Sequence, residues 1–414
     1  MIQIDGQLYD AQALAAFHPG GPLFIHAFAG RDATTAFLSY HRREFPHSKM
    51  MDMKVTQHIA NLDSSNIKKA NKITQNNREY LELCAMVEKI LPRSKSFAPF
   101  SYFLKVFFLL SMTFGLEFYI HQNGMYTWYL TAILGWFYAL IGLNIQHDAN
   151  HGAVSRNPHV NRVFGMSQNW IGGSAVDWIH QHVVQHHTET NHVDNDPDIV
   201  GNALLRFNPK NTLYDIHGFQ HVYLFFLLPL FGFTYVLDSF KHNLERFHFT
   251  KYSNMLERYR NQELASIVFF GARWIVLPIY MTKTSLASTF LNIAPLFVVG
   301  GYYLSFFFII SHNFEGVVHH HFSHQNPNFL RSQVSSSSNV GGAFLCFING
   351  GLNYQIEHHL FPRVSHVYYP TIAPVVREYC LARGIPYVHF PTVWENVYSC
   401  SRHLYAMGNT DKTN

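Results

Sequence analysis

The chain has 414 residues, a net charge of +4 and only 14% charged residues, against roughly 25% in an average soluble protein. Aromatics reach 16%, 28 residues are histidine and no polybasic block occurs, so nucleic acid is excluded as an expected partner. Four scattered cysteines (Cys84, Cys346, Cys380, Cys400) with no C-x-x-C pair exclude a disulfide framework and a cysteine zinc site, which leaves histidine as the expected metal ligand.

Residues 1–75 are polar, with few long apolar runs, and read as a small soluble domain. The first twenty carry no apolar leader segment, so no secretory signal is expected and the amino terminus is placed in the cytosol. A polar helical stretch at residues 64–91 ends at Pro92, and residues 76–101 read as a linker. Hydrophobicity then rises abruptly. Residues 103–120 and 126–145 each approach the ~20 residues of a spanning helix, and the short gap between them predicts an antiparallel pair. His147 and His151 follow directly as H-x-x-x-H. Residues 163–179 are too short and glycine-rich to span and are expected at the membrane interface, ahead of His182, His186 and His187 in H-x-x-x-H-H.

Three more apolar stretches follow, at 219–237, 264–281 and 286–310. Ligands to one centre must share a side of the bilayer, so an even number of crossings is required before Gln355, His358 and His359, the Q-x-x-H-H cluster. The last two stretches suit a hairpin, although Arg273 is costly in hydrocarbon; residues 219–237 are then expected not to cross. His319, His320 and His321, and the serines at 335–338, are expected in an exposed loop. Residues 401–414 read as a C-terminal tail, frayed from Gly408.

Neutral imidazole is a common iron ligand, and eight or so such donors can hold two metal ions. Residues four apart share a helix face, so His147 with His151, and His182 with His186, can each point at one centre. Neighbours such as His186–His187 and His358–His359 diverge by about 100° and can serve two metals. Asp148, Asp194, Asp196, Asp198 and Glu357 are candidates to orient imidazole N–H groups.

These three boxes, in this order, resemble the membrane fatty-acid desaturases of the front-end type over nearly the whole chain. Gln355 is the sharpest token, because front-end enzymes begin the third box with Gln. The resemblance implies a further ligand just after the last span, which carries over to His312 within Ser311-His312-Asn313-Phe314-Glu315; the 319–321 histidines match nothing in the pattern. The middle-box spacing resembles delta-5 and delta-4 enzymes more than delta-6 ones; delta-5 is the favoured expectation, with delta-4, delta-6 and sphingolipid delta-8 as alternatives. His18-Pro19-Gly20-Gly21, after Ile4–Asp10 and before Gly30–Thr34, resembles the haem loop of cytochrome b5, with His18 and His41 as implied axial ligands and His47 as the runner-up. The strand and helix that usually precede Ile4 are missing.

The implied architecture is a small α+β cytochrome b5-like haem domain, then an all-α integral-membrane desaturase domain over residues 102–400, with about four spanning helices and interfacial helices. The implied metal ligands are His147, His151, His182, His186, His187, His312, Gln355, His358 and His359, with no catalytic side chain beyond them. The implied cofactors are two non-haem iron ions and haem b, with dioxygen as co-substrate and electrons ultimately from NADH through cytochrome b5 reductase. A fatty-acyl lipid, on coenzyme A or a phospholipid, is the implied substrate. The endoplasmic reticulum membrane is the implied location, with the haem domain and His boxes cytosolic. Two rivals are a lipid hydroxylase, which would yield an alcohol, and a membrane-anchored haem electron carrier, which would hold no stoichiometric non-haem iron.

Overall fold

The computed structural model describes residues 1–54, 77–200, 203–321 and 328–409; the start of the predicted 64–91 helix, the 75/76 boundary and residues 410–414 lie outside them. The N-terminal part opens with an antiparallel pair, Ile2–Ile4 and Gln7–Tyr9, in the register Ile2 to Tyr9. Asp5 and Gly6 turn it with φ of 50° and 73°, the positive values that a two-residue hairpin requires. Asp10 caps the next helix, Ala11–Phe17, by accepting from the backbone N–H of Gln12 and Ala13. Helices Leu23–Phe28 and Thr34–His41 follow.

This small domain is docked. Ile2, Ile4, Leu14 and Phe28 share one buried cluster with Val176, Ile179 and Val183 of the segment that carries the second histidine box. The predicted linker also departs from expectation. Within it, Arg78–Ile90 is a helix whose Tyr80, Leu83 and Val87 are wholly buried. They pack beside Ile356, Leu360 and Ile372, and Tyr80 Oη donates to Leu360 O. The helix is amphipathic, and its polar outer face masks the buried stripe when the segment is taken as a whole.

Among the described residues, five helical runs are long and apolar enough to cross a membrane: Arg93–Asn123, Trp128–Asn150, Asp215–Glu245, Leu256–Thr282 and Leu286–His312. Their outer faces expose Phe107, Phe118, Phe226 and Leu291, more apolar surface than water-facing proteins tolerate. The second and last runs lie close together because Gly135 lacks a side chain; a Cβ there would collide with the Leu296 carbonyl.

The third run differs. It breaks into a 3-10 turn at Leu228–Leu230, and both its ends dock on the histidine-bearing side. At its start, Gln220 Nε2 donates to Leu404 O, on the C-terminal helix that Asn396 ties to Ile310. At its end, His242 faces Asp177, shortly before His182. Its middle meets the last run at Phe297 and Gly301. It therefore enters and leaves on one face, and the required even parity is met when the other four runs cross. Arg273 is compensated inside the protein, 3.2 Å from Glu117 Oε1 and stacked 3.9 Å from the Trp170 ring centre.

The larger part is mainly helical as expected, with two short strand pairs, Phe247–His248 with Thr250–Lys251 and Asn339–Val340 with His389–Phe390. Two further expectations are corrected. Residues 401–409 are not a tail but the end of the helix Val393–Asn409, with Leu404 buried. The serine run is not exposed, since Ser336, Ser337 and Ser338 are wholly buried, and His320 is buried between Asn191 and Val193 backbone partners.

Candidate metal centre and haem site

Two helical distortions set up the histidines. The second membrane-length run widens into a π-helix at Gly142–Gln146, just before His147, and the second box lies in another, Ile179–His186. Such turns, with i→i+5 hydrogen bonds, recur at functional sites. The wider turn brings a residue five positions on back to the same face, and His187 Nε2 lies 3.1 Å from His182 Nε2.

The ring nitrogens form two groups. His147, His151, His182 and His358 make the first, and His186, His312 and His359 the second, with ligand atoms in each group within 4.8 Å of one another. His187 sits between them, 2.9 Å from His358 Nε2 and stacked 4.4 Å from the His359 ring. His147 and His151 thus share a group as expected. His182 and His186 also approach a common site with Asp198, but each joins a different one of the two larger groups. The neighbours His358 and His359 divide between the two. Gln355 opens the helix Gln355–Leu360, wholly buried, with both amide atoms unpartnered.

The donor set fits metal. Nε2 of His147, His151 and His186 is buried without a hydrogen-bond partner, an arrangement that is costly unless something satisfies it. Burial, and then neighbouring imidazoles, hold His182, His187, His358 and His359 well below the ordinary imidazole range, so their lone pairs are free. The outer nitrogens are held from behind, as metal-ligating imidazoles usually are. His312 Nδ1 lies 3.0 Å from Ser336 O, His359 Nδ1 2.9 Å from Gln333 Oε1, and His358 Nδ1 3.2 Å from Tyr369 Oη. His186 Nδ1 is 3.1 Å from Asp196 and 3.0 Å from Asp198.

Of the five acids proposed for this task, Asp196 and Asp198 meet a clustered histidine. Asp148 instead binds His366 and Ser365, Asp194 pairs with Lys210, and Glu357 accepts from Asn339 and Tyr387. Tyr369, Gln333 and Ser336 carry no sequence pattern that would have found them. The 319–321 histidines stay outside both groups; His319 bonds to Phe207 O and stacks on His403.

In the small domain the rings of His18 and His41 lie next to each other, inclined at 65° with centres 6.0 Å apart. Two metal–imidazole bonds of roughly 2 Å each, with about 1 Å more from each nitrogen to its ring centre, would make about that spacing. Each ring is oriented by its Nδ1, at 2.9 Å from Gly21 O for His18 and 3.1 Å from Phe37 O for His41. Gly21 makes the turn at φ +81°, and a Cβ on it would press into Pro158. Burial lowers His18, and burial followed by the charge of His18 lowers His41 to about 3, so both stay neutral. His47 is engaged with Tyr9 Oη and Asp5 instead. Beside His41 a cleft of about 180 Å³ is lined by Arg42, Arg43, Arg93 and Arg363.

Comparison with known proteins agrees with this division. Residues 123–391 match the fatty acid desaturase family, and residues 1–73 match the cytochrome b5-like heme/steroid binding domain. The chain is 41% identical to an acyl-lipid (7-3)-desaturase of Rebecca salina, over 99% of its length and 91% of the relative's. It is 42% identical to an acyl-lipid (7-3)-desaturase of Diacronema lutheri, over 97% and 88%. It is 29% identical to acyl-lipid (8-3)-desaturase B of Dictyostelium discoideum, over 99% and 91%.

Proposed function

The chain belongs to the fatty acid desaturase family, as a front-end acyl-lipid desaturase with a fused cytochrome b5-like domain, and on that premise we propose which residues carry the reaction and where the bond is made. The observation that carries the reading is the convergence of eight buried histidines, three of which (His147, His151 and His186) leave Nε2 unpartnered. One iron is assigned to His147, His151, His182 and His358, the other to His186, His312 and His359. His187 and the Gln355 amide oxygen complete the set. Bound there, iron supplies the activation of dioxygen that lets hydrogen be removed from an unactivated methylene.

The protein's own task is placement. A narrow apolar cavity of about 50 Å³ lies among Ala139, Phe231, Phe270, Phe297, Gly300 and Leu304. Ala139 and Leu304 each precede a histidine of the centre by eight residues, or roughly 12 Å of helix. We assign the cavity to a short stretch of the acyl chain; Gly300 and Gly301 let the neighbouring runs approach at Gly135 and Gly232. His18 and His41 hold haem b, and the arginine-lined cleft offers cations to its carboxylates. Electrons enter from NADH through a cytochrome b5 reductase. We place the enzyme in the endoplasmic reticulum membrane, with haem domain and histidines on the cytosolic side.

For the bond position, two relatives named (7-3) stand at 41% and 42% identity and a third at 29%, and those named (8-3) or Delta(5) stand near 29%. Taken as a new bond three carbons toward the carboxyl end from one at carbon 7, the (7-3) name gives delta-4. We adopt delta-4, with delta-5 as the second reading on the relatives named (8-3) and Delta(5); the middle-box spacing suits both. The test is a fatty-acid profile from yeast expressing the chain, fed separately with docosapentaenoic and di-homo-gamma-linolenic acids. A new delta-4 bond in the first supports the assignment; a delta-5 bond in the second, alone, replaces it; an alcohol in place of an alkene would make the protein a hydroxylase.

A further inference from the structure

Tyr40 immediately precedes His41 in the helix Thr34–His41, and its Oη lies 2.7 Å from Nδ1 of His151. His151 belongs to the first histidine group. Successive helical residues diverge by about 100°, so Tyr40 can face the histidine centre while His41 faces His18. The Nε2 of His151 is buried and unpartnered. With a metal on that atom, Nδ1 carries the proton and donates to the Tyr40 oxygen. Phe24 packs against the Tyr40 ring at 5.4 Å, and the shared core with Val176, Ile179 and Val183 holds the two parts in place. Other polar contacts across this boundary lead elsewhere: Arg31 donates to Thr250 Oγ1 and Lys251 O, and His26 meets Tyr259.

We infer that Tyr40 is the coupling residue through which electrons pass from the haem to the histidine centre, an assignment that rests on the functional reading above. From the His41 ring to the His151 ring every link is covalent except the Tyr40–His151 hydrogen bond. In the step, one electron leaves the ferrous haem, which becomes ferric, and one ferric ion held by the histidines becomes ferrous. Tyr40 keeps its proton and is neither oxidised nor reduced. It positions and couples; it does not touch substrate.

The test compares full-length wild type with Tyr40→Phe, both loaded with haem and iron. A flavin photoreductant delivers one electron to the haem anaerobically, and the decay of the ferrous-haem absorbance is followed. Losing the hydroxyl opens a 2.7 Å hydrogen bond to a van der Waals gap of about 3.5–4 Å, and the expected result is decay slowed about tenfold. Haem content, haem midpoint potential and iron content should match wild type, and a small viologen that reduces the iron directly should restore single-turnover product. Unchanged decay would overturn the inference. Loss of iron from Tyr40→Phe would also overturn it, making Tyr40 a prop for His151. Absence of ferrous-haem decay in iron-loaded wild type would instead remove the functional reading beneath it.

Discussion

Asp196→Asn is the most informative perturbation of the metal centre. His186 Nδ1 lies 3.1 Å from both oxygens of Asp196 and 3.0 Å from Asp198 Oδ2, and the His186 and Asp196 side chains are almost wholly buried. Burial alone would lower His186; the Asp196 and Asp198 carboxylates outweigh it and raise the imidazole above its ordinary range. A carboxylate behind the ring makes it a stronger donor, and losing such a partner typically costs 10- to 100-fold in metal affinity, about 1.4–2.7 kcal/mol. Because Asp198 remains in place, the lower end, about tenfold, is expected. Asp196 also accepts from the backbone N–H of Asn191 at 2.7 Å and of Asp198 at 3.0 Å, one on each oxygen. Asparagine offers a single acceptor, so one buried N–H loses its partner, at roughly 1–3 kcal/mol of stability. The assay is iron per protein by mass spectrometry across a chelator titration, beside a melting curve. Half of the iron should leave at about tenfold lower chelator, with the remainder held as in wild type. A chelator curve superimposable on wild type, or both irons lost together, would refute the assignment of His186 and Asp196 to one of two separate centres.

Gln355→Ala should lower turnover sharply while the protein still accumulates in the membrane, since Gln355 is buried with unpartnered amide atoms; full activity would remove it from the site. His18→Ala and His41→Ala should each abolish the haem Soret band, whereas His47→Ala, which breaks contacts to Tyr9 and Asp5, should keep it. An intact band in either of the first two, or a lost one in the third, would reassign the ligands. His403 is lowered from 6.5 to about 4 by burial and then by His319. The unfolded chain therefore binds more protons between those values, and stability that is full above pH 6.5 falls as the pH drops toward 4. His403→Gln should flatten the melting-temperature profile over that window, and an unchanged slope would exclude His403 as its source.

The sequence alone carried the features that are local along the chain. Apolar runs announce membrane-length helices because exposing one to water is prohibitive, and the five among the described residues appear where hydropathy rises. H-P-G-G is legible because Gly21 must take a positive φ, and the three boxes are legible because metal ligands come in short clusters. The same local view misjudged residues 78–90, whose overall composition is polar but whose buried stripe is not, and the serines at 336–338, which turn inward against the last long helix.

Tertiary structure alone decided how the histidines divide. His358 and His359 are neighbours in sequence yet belong to different groups, and His186 joins His312 from across the fold. Asp148 and Asp196 looked equivalent as partners, but packing gave one to His366 and the other to His186. Tyr40 meets His151 across 111 residues. No spacing rule reaches that far, because side-chain direction within a helix depends on backbone periodicity, while the partner it meets depends on which surfaces pack together.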